Sequence, residues 1–163
     1  MRVTGVIAAV AASNHDYLSQ MAEHFRRLER MYALAPINQF FAPRLHIPEA
    51  GVAELRMMIR PDFHHAAGAA HGTVYFKALD DATFFATNSI VEDVFVLTVS
   101  FNLYLTRPVA DGEVIARARV VSRSKRLYLA EGTLEDARGR EVARGSGAFM
   151  PSTIVLRDEI GYR

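Results

Sequence analysis

Apolar residues at steps of three and four positions mark the first long element of the chain. The stripe begins after Asn14, a suitable N-cap, and stops before Pro36, so it predicts one amphipathic helix. Its members are Tyr17, Met21, Phe25, Leu28, Met31 and Tyr32. The opposite face carries charged residues and is expected to face solvent. The apolar run in residues 1–14 is shorter than a membrane span, and we expect a short Ala-rich helix or a partly ordered terminus there rather than a signal peptide.

The middle of the chain changes from a strand pattern to a long apolar segment. Prolines and a glycine divide residues 36–51 into loops and a short extended piece, after which alternation predicts a strand from Val52 to Arg60. Residues 61–70 are expected to form a loop. The stretch from His71 to Ser89 contains aromatic and β-branched residues that a strand would tolerate, but its length favours a core helix.

Four runs rich in β-forming residues follow, separated by turn signals. They are Val94 to Thr106, Glu113 to Ser124, Arg126 to Glu135, and Glu141 to Met150. Short connections between consecutive strands imply an antiparallel sheet. Wrapping this sheet around the second helix buries the most apolar surface, which predicts an α+β domain.

The first of these runs predicts how the sheet covers the helix. Its even-numbered residues are partly polar and partly apolar. Its odd-numbered residues are all apolar and are expected to face the helix. These odd positions are Phe95, Leu97, Val99, Phe101, Leu103 and Leu105. The other face and the exposed strand edges would suit self-association, commonly as a symmetric dimer.

Composition narrows the class of protein. A chain of 163 residues has the size of one domain, half of its residues are apolar, and its net charge is +1. This near neutrality gives no overall bias toward nucleic acid or an anionic membrane. The chain has no cysteine, which excludes disulfides, thiolate metal sites and a cysteine nucleophile, and we expect a cytoplasmic location.

Two adjacent acids in the apolar helix, Asp80 and Asp81, are the strongest candidates for chemistry. Burying a carboxylate among apolar side chains is costly and raises its pKa, so such a residue is retained more often for function than for stability. Lys77 lies four residues before Asp81, where a helix would form an ion pair between them. This favours Asp80 as the functional acid, with Asp81 as its competitor. The histidines at positions 64, 65 and 71 do not have the spacing of a zinc site, and we expect no metal.

The segment around this helix resembles the PaaI-like branch of the hotdog-fold acyl-CoA thioesterases. That branch carries a motif close to N-x-x-G-x-x-H-G-G, and residues 65–73 read HAAGAAHGT here. An acid follows in the helix at Asp80, and a later strand ends in a proline before Gly112-Glu113, as in the family. Two positions depart from the pattern, since His65 stands at the usual Asn and Thr73 at the second Gly. The match spans roughly Val52 to Met150.

The resemblance implies a hotdog fold, in which an antiparallel sheet wraps around a central helix, with an additional N-terminal helix. The expected divisions are a helical extension over 1–35, the hotdog domain over 36–155 and a tail over 156–163. The implied activity is hydrolysis of an acyl-CoA thioester, with coenzyme A as part of the substrate and no separate cofactor. The implied assembly is a homodimer or homotetramer with the active site at the subunit interface. From the near-neutral charge we expect neither nucleic acid nor a membrane as partner.

The resemblance also implies roles for individual residues. Asp80 would act as general base or as nucleophile, and the start of the helix at Gly72 would polarise the substrate carbonyl. His65 would orient the carbonyl or water, His71 would hold the loop against the helix, and the Thr98 hydroxyl would lie near the attacking water. Substrate-binding candidates are Thr73 and the basic turn formed by Arg123, Lys125 and Arg126, which would meet the coenzyme A phosphates. The acyl channel would be lined by residues such as Phe76, Phe84 and Phe85.

Two alternatives stay open. A hotdog domain could bind an acyl-CoA or related ligand without cleaving it, because the departures at His65 and Thr73 could have cost activity. A hydratase or dehydratase of the same architecture is the other alternative, but such enzymes resemble a motif with Asp and His close together on a loop. The position of Asp80 on a helix argues against it.

Overall fold

The computed structural model describes the backbone of residues 3–163 and the side chains of residues 16–163. It contains three α-helices and six strands. In chain order they are α1 (Val3–Leu34), α2 (Pro36–Phe41), β1 (Arg44–Glu49), β2 (Val52–Ile59), α3 (Gly72–Asn88), β3 (Val94–Leu105), β4 (Gly112–Arg123), β5 (Tyr128–Glu135) and β6 (Glu141–Val155). Short 3-10 turns occur at Pro61–Phe63 and Asp158–Ile160. No described helix combines the length and the hydropathy that crossing a bilayer requires.

One antiparallel six-stranded sheet wraps around α3. The strand order is β1-β2-β4-β5-β6-β3, and every paired neighbour is antiparallel. Fully buried side chains of α3, including Ala78, Leu79 and Ala82, meet the buried residues of β2 and β4 such as Leu55, Met57, Val114 and Ala116 in one core. The α+β hotdog architecture expected from the sequence is therefore confirmed.

Helix α1 is longer than the sequence pattern predicted. Asn14 is not an N-cap, because the backbone is helical on both sides of it from Val3 onward. The alanines before it have the highest helix propensity of all residues, which explains why the helix extends through this position. Farther along, Met21, Phe25, Leu28, Met31 and Tyr32 are buried as the stripe predicts, whereas Tyr17 is exposed. α1 lies against β1, so it covers one of the two edges of the sheet.

Strand β3 forms the other edge of the sheet, and the side chains that it turns toward α3 are not all those predicted. Phe101 and Leu103 pack against the core as expected, but Leu97 and Val99 are 49% and 57% exposed. The cause is an irregularity in the pairing with β6: Thr98 pairs with Phe149 and Ser100 with Ala148, so Val99 is an extra residue in β3. A bulge of this kind breaks the alternation of faces. It lets a hydroxyl, that of Thr98, contact α3 at a point where the simple alternation predicts an apolar side chain.

Glycines in β6 make room for the aromatic side chain that follows this bulge. A Cβ at Gly145 would lie 2.5 Å from Phe101, and a Cβ at Gly147 would lie 2.8 Å from it. Phe101 in turn meets Phe76 of α3 edge to face, with 5.4 Å between ring centroids. The close approach fixes β3 on the helix beyond the bulge. Of the other predicted strand bounds, that of β6 changes most, because the strand continues past Met150 to Val155. β5 begins at Tyr128, since Arg126 belongs to the preceding turn.

Candidate active site

The start of α3 is built by a tight loop and a histidine cap. The His71 amide donates to the Phe63 carbonyl at 2.9 Å, and the His71 side chain caps the helix by accepting from the Thr73 amide at 3.2 Å. The Val74 amide donates to the His71 carbonyl at 2.9 Å. Among the described groups none accepts a hydrogen bond from the Gly72 amide. The first residue of the helix thus presents a free N–H at the positive end of the helix dipole.

The other two histidines of the loop are engaged locally. A His64 ring nitrogen lies 2.7 Å from the Ala110 carbonyl, and His65 accepts from the Ala67 amide at 3.1 Å. His65 is exposed and lies at the turn whose Gly68 has a φ of 79°. The side chains described over residues 16–163 include no cluster of three or more potential metal ligands. The role predicted for His65 toward a substrate stays a prediction.

Asp80 lies two turns farther along α3, beside the β3 bulge. The Thr98 hydroxyl donates to its Oδ1 at 3.1 Å. Burial raises the pKa of Asp80 to about 6, although the hydrogen bond from Thr98 opposes the rise; the Asp81 charge adds to it and Lys77 lowers it. A carboxylate with such a pKa is ionised at neutral pH and still able to accept a proton, as a general base requires.

Asp81 is held differently from its neighbour. Its Oδ2 accepts from the Lys77 ammonium and from the Tyr32 hydroxyl, the latter at 2.5 Å. The Lys77 and Asp81 side chains are only 14% and 18% exposed, and the Lys77 nitrogen lies over the Tyr32 ring at 5.3 Å from its centroid. The predicted ion pair between Lys77 and Asp81 is present, and α1 adds a hydroxyl to it. Asp81 is therefore fixed by two donors, whereas Asp80 has one.

Asp80 and Thr98 open into a cavity of about 840 Å³. Its walls come from α1 and α2, from α3 and β3, and from the end of β6 and the segment after it. Its apolar lining includes Met31, Leu34, Ile37, Phe84, Phe85, Phe95, Leu97, Ile154 and Ile160. Of the three residues predicted to line an acyl channel, Phe84 and Phe85 line this cavity and Phe76 does not, because it packs on Phe101 at the other end of the helix.

The free amide and the acid are separated within one chain. Gly72 and Asp80 are eight residues apart on one helix, so their backbones lie about 12 Å from each other along its axis. At this distance the Gly72 amide and the Asp80 carboxylate of one chain cannot both act on the same carbonyl group of a bound substrate. We refer to the two separate groups of candidate residues as half-sites, one at the start of α3 with His71, Gly72 and Thr73, and one at Asp80 with Thr98.

The basic turn is exposed and has no described partner. Arg123, Lys125 and Arg126 are exposed, and among the described side chains no ion pair involves them. Arg123 lies in one row across the sheet with Thr98, since Arg123 pairs with Tyr128, Tyr128 with Phe149, and Phe149 with Thr98. Three strand spacings put their backbones about 14 Å apart.

Two contributors to this site were not predicted from the sequence. Tyr32 was assigned only to the buried stripe of α1, and the segment after β6 was assigned to a tail. Their contacts join positions far apart in the chain, such as Tyr32 with Asp81. A hint for Tyr32 lies in its hydroxyl, because a buried tyrosine usually finds a hydrogen-bond partner.

Comparison with known proteins agrees with this architecture. Residues 67–143 match the model of the thioesterase superfamily. The Escherichia coli PaaI protein from the phenylacetic acid degradation operon superposes with a TM-score of 0.75 at 17% identity, over 82% of this chain and 96% of that one. A Ralstonia eutropha protein, described as a candidate thioesterase related to phenylacetic acid degradation, superposes with a TM-score of 0.70 at 25% identity, over 78% of this chain and 98% of that one.

A sequence relative points the same way. A protein of Saccharolobus solfataricus, whose description as an esterase is itself an inference, is 24% identical over 102 residues, which are 63% of this chain and 68% of that protein. By its fold, the chain is a hotdog domain with an acid on the central helix. It is similar to PaaI-like members of the thioesterase superfamily, and the matches support a thioester hydrolase in general.

Proposed function

We propose that this protein hydrolyses an acyl-coenzyme A thioester at a site shared between two copies of the chain. The observation that carries the proposal is the distribution of groups along α3. Asp80, beside Thr98, faces an apolar cavity, and the free Gly72 amide lies about 12 Å away on the same helix. A second copy that brings its own helix start to the Asp80 half-site completes the set of groups that thioester hydrolysis needs.

The chemistry assigns one task to each half-site. The Gly72 amide of one copy donates to the thioester oxygen, which becomes negative as the tetrahedral intermediate forms. The Asp80 carboxylate of the other copy removes a proton from water while the water oxygen bonds to the carbonyl carbon. The carbon–sulfur bond then breaks, and the thiolate takes that proton, so the products are a carboxylic acid and coenzyme A. Direct attack by Asp80 is the other route to these products, through an anhydride that water cleaves.

The free edge of β3 supports self-association. Within the described chain β3 pairs on one side only, with β6. Its outer positions Val99, Tyr104 and Leu105 are 52–66% exposed. Edge strands in stable proteins are usually covered or paired. Pairing with a second copy would cover this edge by a two-fold symmetric contact.

The basic turn supports coenzyme A as the thiol part of the substrate. Arg123, Lys125 and Arg126 offer exposed cations about 14 Å across the sheet from Thr98. Cations at a distance from the reacting carbon suit a substrate whose phosphates lie at the far end of a long arm. We assign phosphate binding to this turn and expect no separate cofactor.

A non-catalytic acyl-CoA binding domain is the second candidate. The observation in its favour is that the His71 side chain already occupies the Thr73 amide, where a bound oxyanion would otherwise find a donor. Only one of the first two amides of α3 is then left for a substrate oxygen. A binding domain would keep the cavity and the basic turn and would lack turnover.

Release of free thiol from a panel of acyl-CoA esters tests the proposal, and mixing two inactive variants tests the shared site. Asp80→Asn removes the base from one chain. Gly72→Pro removes the amide hydrogen from the other and adds a ring. Proline suits the first helical position, and the φ of −65° and ψ of 148° at His71 suit a residue before proline. Each variant alone should be inactive. Random reassociation should restore about a quarter of wild-type activity, since half of the dimers carry one intact site of two. Turnover by wild type without recovery in the mixture would contradict sharing, and binding without turnover would favour the second candidate.

A further inference from the structure

The segment after β6 is fixed to helix α1 by a buried tyrosine. The Tyr162 hydroxyl lies 2.6 Å from Nδ1 of His24, and both side chains are buried. The Arg27 guanidinium lies over the Tyr162 ring at 4.3 Å and donates to the Tyr162 carbonyl at 3.1 Å. Gly161 lies beside α1, where a Cβ would make an ordinary contact of 3.4 Å with Leu34. These contacts hold the segment in one position against the helix.

The hydrogen bonds of His24 define its protonation. Nε2 lies 3.0 Å from the Asn88 carbonyl, which can only accept, so Nε2 carries the proton. Nδ1 is then an acceptor for the Tyr162 hydroxyl in the neutral imidazole. Burial lowers the pKa of His24, which favours this neutral form. One buried residue thus joins α1, the end of α3 and the C-terminal segment.

The same segment forms one wall of the cavity beside Asp80. Asp158, Glu159, Ile160 and Gly161 line the cavity together with the last turn of α1. Ile160 is half-buried and packs against the core. None of these residues belongs to the sheet or to α3, so this wall is an addition to the two elements that carry the reacting groups.

We propose that the C-terminal segment, through Ile160, sets the length of the acyl group that the enzyme accepts. The inference rests on the proposed thioesterase function and names its substrate class as acyl groups with an extended apolar chain. A cavity of about 840 Å³ lies in the upper part of the range for small-molecule sites, which exceeds what an acetyl group would fill. Each methylene buried between Asp80 and Ile160 should raise kcat/KM up to about fourfold, the equivalent of about 0.8 kcal/mol. The rise should end where the chain meets this wall.

Two tryptophan substitutions test the wall. Ile160→Trp adds bulk to it, and Leu18→Trp adds bulk to α1 at a side chain that is 66% exposed and about 20 Å up the helix from Met31. Acetyl-, hexanoyl- and decanoyl-CoA are compared by kcat/KM. Ile160→Trp should lower the decanoyl-to-acetyl ratio at least tenfold, and Leu18→Trp should leave it unchanged. An equal change for all three esters in Ile160→Trp would overturn the proposal.

A binding measurement separates this inference from the proposed activity. The chain contains no tryptophan, so each variant has a single indole. S-decyl-coenzyme A, a thioether that cannot be hydrolysed, should shift the emission of Ile160→Trp but not that of Leu18→Trp, and coenzyme A alone should shift neither. A shift without hydrolysis of any ester would contradict the proposed activity but support the contact between Ile160 and the acyl chain. Unchanged emission of Ile160→Trp with the thioether would show that Ile160 does not contact the acyl chain, whether or not esters are cleaved, and would overturn the proposal.

Discussion

The start and the middle of α3 satisfy their polar groups in opposite ways. At the start, the His71 side chain accepts from one amide and leaves that of Gly72 free, and the side chains of His71 and Thr73 are exposed. In the middle, Asp80 is a partly buried carboxylate with one hydroxyl partner and an apolar cavity in front of it. The first region offers donors to a negative oxygen and the second offers a base. The difference explains why a single copy of the chain cannot be a complete hydrolase on this proposal.

The largest expected effect is that of Asp80→Asn. Without the base, kcat should fall by about 10²–10⁴-fold. Stability at pH 7 should rise by about 1–3 kcal/mol, because the raised pKa means that the ionised carboxylate is disfavoured in the folded state. This cost is absent below the unfolded pKa and develops as pH rises from about 4 to about 6. Steady-state kinetics and urea unfolding measure the two effects.

Opposite results would separate two roles for Asp80. Loss of turnover together with loss of stability would make Asp80 a structural residue of the cavity wall. Unchanged turnover would transfer the functional role to Asp81 or to neither acid. The matched Asp81→Asn variant makes this comparison within the same helix.

Gly72→Pro tests the other region with the next largest effect. Removal of one oxyanion donor should lower kcat by about 10²–10³-fold. Gly72→Ala is the matched control, since it keeps the amide and its Cβ would lie 3.4 Å from Leu105, an ordinary contact. A similar loss in both variants would show that packing at this position matters, and not the N–H group.

Local pattern predicted most of the fold but only part of the site. The length of one apolar run predicted α3, and β-rich runs separated by turn signals predicted the strands, because each of these signals lies within one element. The bulge at Val99 was not predicted, because the alternation of residue types does not reveal one extra residue in a strand. The contact of Tyr32 with Asp81 was not predicted either, because it joins two helices that only tertiary packing brings together.

The pH profile should shift in opposite directions when the two neighbours of Asp80 are changed. Activity requires ionised Asp80, so kcat/KM should fall as pH drops below about 6. Thr98→Val removes a hydrogen bond that lowers the pKa of Asp80, and its acidic limb should move to higher pH. Asp81→Asn removes a negative charge that raises this pKa, and its acidic limb should move to lower pH.

The remaining charges that face this cavity define the control for that profile. They are Lys77 on α3 and Asp158, Glu159 and Arg163 from the C-terminal segment. Asp158→Asn and Glu159→Gln should leave the acidic limb in place, since the pKa of Asp80 depends mainly on burial, Thr98, Asp81 and Lys77. Shifts of equal size in these controls would show that all the charges around the cavity, and not only the neighbours of Asp80, set the pKa behind the acidic limb.

The smallest effect is expected for Tyr32→Phe, which sharpens the contrast between the two adjacent acids. The change removes one hydrogen bond to the Asp81 carboxylate and leaves Lys77 paired with it. Unfolding free energy should fall by about 1 kcal/mol, the usual contribution of such a bond when the acceptor keeps another donor. Tyr17→Phe on the exposed side of α1 is the control and should change neither stability nor rate. If Asp80 reacts and Asp81 only holds the helix, as proposed, Tyr32→Phe should lower the midpoint in urea and leave kcat within about twofold. A large loss of kcat with unchanged stability would place Asp81, and not Asp80, at the reacting carbon.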